Sequence, residues 1–573
     1  MGVDLPTKPT PGTDRALVAL LGAGLLLRLL IAWAPFSYLA ARGPLIDDAF
    51  YSLGIARNLA GGHGLTADGV HPTSGFQPLY TFLLVPFYFF SGGDPILPIH
   101  SALTLLALAG TATGWFLFRI TRRLAGAGAA LFSLTLWTFS PYFLTQGMNG
   151  LETGLFGLFF AAALDLHLGA VGSDSGVRRL ALLGVVLAGL VLARVDGLIL
   201  CAVLFLDLWR DRSPFDRRLV RAGTILSITA LLALPYFIFL RLRFGSFLPE
   251  SGAATRFISL CYGTLFVSNP QALSYFPPEQ APWSYYAASL GKAAESLAAE
   301  PLLFPASLPV ALLARISETW PTAAGAAGFL ALLANLLLLF HFARHAPLAS
   351  RFRDYARIAL ATALLWLPAY AFGGLGQWWF ARYFFPLFIL MLPLSGFAFR
   401  RIGETLAAFR GMRPASYAAL ALGLQILLFA SQVPGAFFTH RPNLNVSSFL
   451  RMASILDQTI PPEATAGAFQ SGTLSYFSDR TVINLDGVVN AAALEALKER
   501  RMAEYVRSEG IQAVIDYPLI LHALLVRRSP AGEARRLGEV QQVGAFYLVR
   551  VAANPGQGPA PPAGPPGPSG GPP

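Results

Sequence analysis

The sequence predicts a polytopic α-helical membrane protein with a small α/β domain outside the membrane near its carboxyl end. Three observations support this fold class. First, 54% of the 573 residues are hydrophobic and only 13% are charged, whereas soluble domains carry about 25% charged residues. Second, apolar runs of about 20 residues, long enough to cross a bilayer, recur along the chain. Third, after residue 433 these runs give way to short strand-like and amphipathic segments.

Composition also excludes several classes of protein. The net charge of +11 does not indicate a nucleic-acid partner, because the arginines cluster in short loops between apolar runs, as they do in membrane proteins. Cys201 and Cys261 are too few to build a disulfide framework and are interpreted as free thiols. The sequence contains no Walker motif and no dinucleotide-binding fingerprint after a predicted strand. We therefore predict no nucleic-acid partner and no cofactor.

The membrane domain is predicted to cover residues 15–433, after a cytoplasmic tail at 1–14. Its first apolar run is too long for a signal-peptide core and is interpreted as an uncleaved span. Candidate spans are 15–38, 97–118, 126–146, 152–170, 180–193, 197–209, 219–240, 322–343, 356–374, 384–399 and 415–433. The prediction is therefore a membrane domain of about eleven helices.

The arginines set the predicted orientation of these spans. Arginine-rich loops follow every second span, and such loops face the cytoplasm. The amino terminus is therefore predicted inside and the carboxyl terminus outside. This order requires that the apolar segment 76–90 does not cross the membrane. It is only about 15 residues long and contains Pro78 and Pro86, so we interpret it as an interfacial helix.

The first outer loop, residues 41–96, carries two adjacent carboxylates just beyond the first span, Asp47 and Asp48. A carboxylate at a membrane edge is costly unless it is hydrated, paired or used. We interpret at least one of them as a general base that takes a proton from an acceptor hydroxyl. The alternative is that Asp48 caps the short helix that follows, since aspartate is favoured at that position.

Other polar residues of the first outer loop are interpreted as substrate contacts: Arg57, His63, His71 and Gln77. The loop is much longer than the roughly five residues that a simple connection needs. We therefore interpret it as the floor of an active site. The two histidines match no specific metal-ligand spacing, and no metal is predicted.

A second acidic and basic group is predicted on the same side of the membrane. Glu152 starts a span there and is either catalytic or simply a carboxylate favoured by a helix N-terminus. Arg194 and Asp196 lie at the turn between the two short candidate spans, 180–193 and 197–209. There they either pair with each other or hold a substrate phosphate.

Three further residues are candidates for the substrate and its phosphate: Arg256, Arg382 and Tyr383. The planar donor fork of arginine suits phosphate, and Arg256 lies in an outer loop, against the positive-inside pattern. Arg28 lies inside the first span, where a charge has either a functional or a structural partner.

The outer α/β domain is predicted to cover residues 434–552. Apolar alternation indicates strands at 466–470, 481–485, 512–516 and 545–551, and helices at 449–457 and 491–508. The final segment, 553–573, is rich in proline and glycine and is predicted to be disordered.

Several of these segments resemble the GT-C glycosyltransferases, membrane enzymes that use polyprenyl-phosphate sugars. The group includes protein O-mannosyltransferases, the lipid A aminoarabinose transferase and mycobacterial arabinofuranosyltransferases. The likeness lies in residues 47–50, 56–60, 62–65, 73–79, 150–153, 193–197, 382–383, 469–472 and 484–487. The acidic pair is Asp-Asp here, where the protein mannosyltransferases commonly have Asp-Glu.

The resemblance implies an inverting transfer of a hexose or pentose from a polyprenyl-phosphate carrier to a hydroxyl of a glycan, lipid or protein. It implies catalytic roles for Asp47, Asp48 and Glu152. It also implies a bacterial inner (plasma) membrane, with the reaction on the outer face. The expected partners are the lipid-linked donor, the acceptor and membrane lipid.

A transporter or flippase of a lipid-linked or sugar substrate is the alternative. Such a protein would favour internal repeats and ionisable groups near the midplane of the bilayer. Here the acidic groups are predicted at the ends of spans, on one face. A polysaccharide ligase or polymerase, and a non-catalytic scaffold whose outer domain binds a partner, are the remaining alternatives.

Overall fold

A computed structural model describes most of the chain. The described residues are 11–170, 176–210, 213–262, 350–372, 381–410, 414–438 and 446–552. The predicted span at 322–343, the apolar segment at 297–314 and the proline- and glycine-rich tail lie outside them.

Before residue 434 the described part of the chain consists of helices and loops, with one isolated β-bridge between Thr66 and Pro72. In chain order its helices are α1 (Pro11–Ala32), α2 (Phe36–Ala41), α3 (Ala49–Ala60), α4 (Pro78–Phe89), α5 (Leu97–Ala125), α6 (Ala127–Phe139), α7 (Pro141–Gly147), α8 (Thr153–Ala170), α9 (Val177–Ala193), α10 (Leu198–Leu208), α11 (Phe215–Phe244), α12 (Glu250–Tyr262), α13 (Ser350–Phe372), α14 (Phe385–Arg410) and α15 (Pro414–Val433). Short 3-10 turns at Val195–Gly197 and Ala381–Phe384 precede α10 and α14.

Several of these helices are suited to cross a membrane. By length and composition, α1, α5, α8, α11 and α14 qualify among the described residues, and the bent pair α6–α7 makes a sixth if it is one span. The chain is therefore a polytopic helical membrane protein. The larger number of about eleven stays a prediction, since it also counts the segment 322–343.

Helix α5 packs against α1, α6, α8 and α14, and glycines allow some of these close contacts. A methyl group on Gly110 would lie 2.6 Å from Nε of Arg28. Arg28 is 1% exposed, and its guanidinium donates to the carbonyl oxygens of Gly24 at 3.1 Å and Trp137 at 3.4 Å. The structural interpretation of this intramembrane arginine is therefore the one that its contacts support.

One predicted span is divided into two helices for a local reason, whereas the predicted interfacial segment is a single short helix. The predicted span 126–146 is two helices, α6 and α7, bent by 59°. Pro141 starts α7, and proline is favoured at the first position of a helix and disfavoured inside one. The segment predicted as an interfacial helix is α4, of 12 residues. At about 1.5 Å of rise per residue α4 is too short to cross a hydrocarbon core of about 30 Å.

The carboxyl-terminal part contains a five-stranded sheet with the order β2-β1-β3-β5-β4. The strands are β1 (Thr465–Ala468), β2 (Thr481–Asn484), β3 (Ala513–Asp516), β4 (Gly538–Val543) and β5 (Phe546–Val551). Strand β1 pairs in parallel with β2 and β3, whereas β5 pairs antiparallel with β3 and β4. Helices α16 (Val446–Thr459), α17 (Gly472–Phe477), α18 (Ala491–Lys498) and α19 (Met502–Ser508) complete it.

The predicted helix 491–508 is divided in two. Arg500 has a φ of 58°, a left-handed conformation that ends α18 before α19 begins. Strand β4 was not predicted, because its residues are mostly exposed and show no apolar face.

The parallel strands fix the direction in which the outer domain faces. The carboxyl ends of β1, β2 and β3 lie at one edge of the sheet, the edge at which α/β sheets commonly bind ligands. The loops after β1 and β2 contact the first outer loop of the membrane domain. For example, a methyl group on Gly75 would lie 1.9 Å from the carbonyl oxygen of Val488. The edge of the sheet formed by the carboxyl ends of β1, β2 and β3 is thus packed onto the loop that carries the acidic pair.

Candidate active site

Asp48 forms an ion pair with Arg382. Nη2 of Arg382 donates to Oδ2 of Asp48 at 2.8 Å, and the Asp48 side chain is 47% exposed. Asp48 immediately precedes α3, but its side chain makes no capping hydrogen bond to that helix. The carboxylate is therefore directed to the arginine and not used as a helix cap.

Asp47, the neighbouring carboxylate, is held by the outer domain instead. The backbone N–H of Thr473, in the first turn of α17, donates to Oδ1 of Asp47 at 2.7 Å. Burial raises the pKa of Asp47 to about 6, and the charge of Asp48 adds to this rise, while hydrogen bonds from Thr473 and Gly472 oppose it. Two adjacent carboxylates thus have different partners: a guanidinium for Asp48 and a main-chain amide for Asp47.

A second charged group surrounds Arg194, which is 8% exposed. Its Nη2 donates to Oδ2 of Asp196 at 2.8 Å and to the hydroxyl of Tyr370 at 2.7 Å, and its Nη1 lies 3.4 Å from Oε1 of Glu152. The Tyr370 hydroxyl donates in turn to Asp196. Arg194 therefore pairs with Asp196, as one of the two interpretations of the sequence expected, and also with Glu152 from a different segment.

Tyr383 lies between the two arginines. The guanidinium carbon of Arg382 is 5.2 Å from the centre of its ring and that of Arg194 is 5.7 Å from it. The loop before α8 packs directly on the first outer loop as well, since a methyl group on Gly150 would lie 2.8 Å from the side chains of Ala49 and Leu45. The two charged groups are therefore parts of one site.

The structure brings six of the twelve predicted site residues together around Tyr383: Asp48, Glu152, Arg194, Asp196, Arg382 and Tyr383 itself. Asp47 adjoins them from the outer-domain side. The other five lie elsewhere.

Arg57 and His71 join the first outer loop to the outer domain. Arg57 donates to the carbonyl oxygens of Tyr476 at 2.7 Å and Ser475 at 3.0 Å. The ring of His71 lies between two carboxylates, with Nδ1 2.7 Å from Asp68 and Nε2 3.2 Å from Glu509. The hydrogen bond to Asp68 raises the pKa of His71. Both side chains thus have protein partners at a contact between domains.

The remaining three residues predicted to contact the substrate make no contact, within the described part of the chain, with the charged residues around Tyr383. His63 is exposed at the end of α3, and Arg256 is exposed on α12. Gln77 precedes α4, and its buried Oε1 has no hydrogen-bond partner among the described residues.

Four residues of the site were missed from the sequence: Tyr51, Tyr370, Thr473 and Asp486. Tyr370 is in a predicted span, where a tyrosine gives no functional signal, and Thr473 contributes only its main chain to Asp47. Asp486 follows β2 at the edge of the sheet formed by the carboxyl ends of β1, β2 and β3, a position that could have been noticed. Burial, with the nearby charges of Asp48 and Asp47, raises its pKa to about 8. Within the residues that the structure describes, no group of three or more His, Cys, Asp or Glu side chains is arranged to hold a metal ion.

The helical membrane domain, the acidic loop after the first span and the sheet domain together have the overall fold of two solved proteins, ArnT and AglB. A solved structure of ArnT from Cupriavidus metallidurans bound to undecaprenyl phosphate matches 96% of this chain and 100% of that one, with a TM-score of 0.52 and 15% identity. The archaeal oligosaccharyltransferase AglB from Archaeoglobus fulgidus, in complex with an inhibitory peptide and a dolichol-phosphate, matches 94% of this chain and 74% of that one. Its TM-score is 0.53 and its identity 16%.

Sequence comparison adds one family. Residues 440–556 match a family described as a domain of unknown function, DUF8728. No curated protein sequence matches the chain. The likeness to solved structures therefore establishes the fold, and the reaction has to be argued from the site.

Proposed function

We propose that the protein is an inverting glycosyltransferase that moves a sugar from a polyprenyl-phosphate carrier to an acceptor hydroxyl on the outer face of the membrane. The observation that carries the proposal is the ion pair of Asp48, directly beside Asp47 in the sequence, with Arg382, and the position of the Arg194 guanidinium near the same Tyr383 ring. A base and a phosphate-binding cation are thus adjacent at one site.

The acidic pair supplies the base. In a single displacement the acceptor oxygen attacks the anomeric carbon, the bond from that carbon to the phosphate oxygen breaks, and the acceptor proton passes to a carboxylate. Asp47 is the better base of the two, because its pKa of about 6 lies closer to neutral pH while leaving it mainly ionised. Asp48 already shares its charge with Arg382.

The arginines stabilise the leaving group. A phosphate leaves as a stable anion, so it needs positive charge more than a proton. The side chain of Arg382 is 12% exposed and the side chain of Arg194 is 9% exposed. Cations in such a water-poor site act more strongly on developing negative charge than they would in water. Their planar donor forks can bind two phosphate oxygens at once.

The proposed orientation of the protein in the membrane is supported by the charged groups at the two ends of α8. Glu152 precedes α8, whereas Asp165 near the other end of α8 is paired with Arg119 at 3.1 Å and Arg123 at 2.8 Å. Clustered arginines favour the cytoplasmic side, which supports an outer location for the acidic site. We place the protein in a bacterial inner (plasma) membrane, with residues 15–433 as the membrane domain and 434–552 as the outer domain.

The proposed donor is supported by the ligands of the two similar solved structures. ArnT binds undecaprenyl phosphate and AglB binds a dolichol-phosphate, which supports a polyprenyl-phosphate donor here. A glycan, lipid or protein hydroxyl is the proposed acceptor, and the sugar is a hexose or a pentose.

A direct assay tests the proposal. The full-length protein in nanodiscs is given a panel of undecaprenyl-phosphate-linked hexoses and pentoses together with cell-envelope extract, and released undecaprenyl phosphate is measured by mass spectrometry. Release is expected with the wild type and is expected to fall by at least about 100-fold in Asp47→Asn, which removes the base. Asp94→Asn, an exposed acid of the same loop, is the matched control. Equal release by Asp47→Asn and the wild type would refute the assignment.

A further inference from the structure

We propose that the outer domain is part of the active site, because the main-chain N–H of Thr473 positions the base Asp47. The inference rests on the proposed function and extends it: a residue 426 positions away along the chain becomes a positioning residue for the reaction. An outer domain that served only to bind acceptors would not need this contact.

The contact begins with a buried carboxylate of the outer domain. Asp516, at the end of β3, is 0% exposed. Its Oδ2 accepts hydrogen bonds from the main-chain N–H groups of Phe469 and Gln470, each at 3.0 Å, and its Oδ1 accepts one from Tyr517 at 2.8 Å. These bonds fix the turn that leads from β1 into α17, and therefore fix the direction of the Thr473 N–H.

The same turn fits tightly against the acidic pair. A methyl group on Gly472 would lie 2.4 Å from the main-chain oxygen of Asp47. The Tyr51 hydroxyl accepts hydrogen bonds from the main chain of Ser471 at 3.3 Å and from Nδ2 of Asn484 at 3.2 Å. The outer domain therefore touches Asp47 on its main chain, on its carboxylate and through the neighbouring tyrosine.

Charge explains why this one amide matters. Asp47 has three carboxylic acids near it on the elements packed around it, Asp48, Asp486 and Asp516, and two neutral tyrosines, Tyr51 and Tyr517. Burial and the charge of Asp48 raise the pKa of Asp47, and hydrogen bonds from Thr473 and Gly472 oppose this rise. A hydrogen bond to the ionised form of a carboxylate lowers its pKa. Removing the Thr473 N–H would therefore leave more of Asp47 protonated, and inactive as a base, at neutral pH.

The test removes this N–H and compares the result with Thr473→Val, which keeps the N–H but loses the side-chain hydroxyl, so the shift in Thr473→Pro has to exceed the shift in Thr473→Val. Thr473→Pro lacks the donor and lies in the first helical turn of α17, where proline is tolerated. The acid limb of the pH profile of kcat is expected to move up by about one pH unit, with the KM for the donor unchanged. Ala491→Pro, at the first position of α18 in the same domain, is the control and should keep the wild-type profile.

A spectroscopic readout does not depend on knowing the substrate. Infrared difference titration of full-length protein in nanodiscs, with Asp47→Asn used to assign the band, measures the protonation midpoint of Asp47 directly. The same upward shift is expected there in Thr473→Pro. If that variant does not fold, Gly472→Ala serves in its place, and its clash with Asp47 should lower kcat at every pH.

The outcomes separate the inference from the function on which it rests. An unchanged midpoint and an unchanged acid limb in folded Thr473→Pro would overturn the positioning role, even if Asp47→Asn abolishes transfer. Full transfer by both Asp47→Asn and Asp48→Asn would instead overturn the proposed function, whatever the infrared midpoint does.

Discussion

Nη2 of Arg382 lies 2.8 Å from Oδ2 of Asp48, although 334 residues separate them in the sequence. Asp48 immediately precedes α3 in the first outer loop, and Arg382 lies just before α14. The ion pair thus connects the loop that carries the acidic pair to the start of a long apolar helix.

Replacing Arg382 by lysine tests the need for a planar fork. Lysine keeps the positive charge but presents a single ammonium, which cannot bind phosphate through two parallel hydrogen bonds. We expect kcat to fall by about 100-fold, the scale on which single charge-stabilising donors act. Measuring undecaprenyl phosphate release from the active donor of the panel checks this. Arg42→Ala, an exposed arginine of the same outer loop, should keep full activity, and an equally active Arg382→Lys would contradict the phosphate role.

Replacing Tyr370 by phenylalanine tests the second charged group. The Tyr370 hydroxyl accepts from Arg194 and donates to Asp196, so its loss leaves both partners with one hydrogen bond fewer. We expect a loss of about 1 kcal/mol in the free energy of unfolding and a rise in the KM for the donor. Thermal unfolding and donor titration measure the two effects. A KM equal to that of the wild type would show that the network serves stability alone.

The pH dependence of stability can be predicted from Asp486. Its folded pKa of about 8 lies above the usual value of 3.8, so the folded state binds its proton more tightly than the unfolded state. The stabilisation from this group is complete below about pH 4 and is lost as the pH rises through about 8. Asp486→Asn cannot ionise, so it should gain in melting temperature relative to the wild type between pH 6 and pH 9. Asp94→Asn should show no such trend, and a falling difference would show the sign to be wrong.

Removing Arg57 should loosen the contact between the domains. Its two hydrogen bonds go to main-chain oxygens at the end of α17, and its guanidinium lies 4.6 Å from the centre of the Tyr476 ring. In Arg57→Ala we expect faster amide hydrogen exchange across residues 472–477, while exchange in β3 and β5 stays slow. Arg42→Ala is the control here as well. Unchanged exchange in α17 would mean that the other contacts of the outer domain are sufficient.

The helices and strands that were predicted best are those in which apolar residues recur at regular spacing. Helix α3 and strands β1, β2, β3 and β5 lie within a few residues of their predicted positions. Strand β4 was missed because its side chains are exposed along most of its length, so it carries no alternation of apolar and polar residues. The bend at Pro141 and the break at Arg500 depend on single residues, which an average over a window conceals.

Some residues of the candidate site could also be predicted from the sequence, and others could not. Asp48, Glu152, Arg194 and Arg382 could be grouped from the sequence because charges at the ends of spans on one side of a membrane must meet at one surface. Arg57 had the same appearance in the sequence, yet its partners are main-chain oxygens, which no residue pattern reveals.

Each guanidinium of the site has a carboxylate as its counter-ion: Asp48 for Arg382, and Asp196 with Glu152 for Arg194. Under the proposed function, a donor phosphate has to displace these carboxylates, and it therefore gains less binding free energy than it would from unpaired arginines. Asp47 is outside this exchange, because its partner is a main-chain N–H. Donor binding would thus rearrange the ion pairs while leaving the base in place.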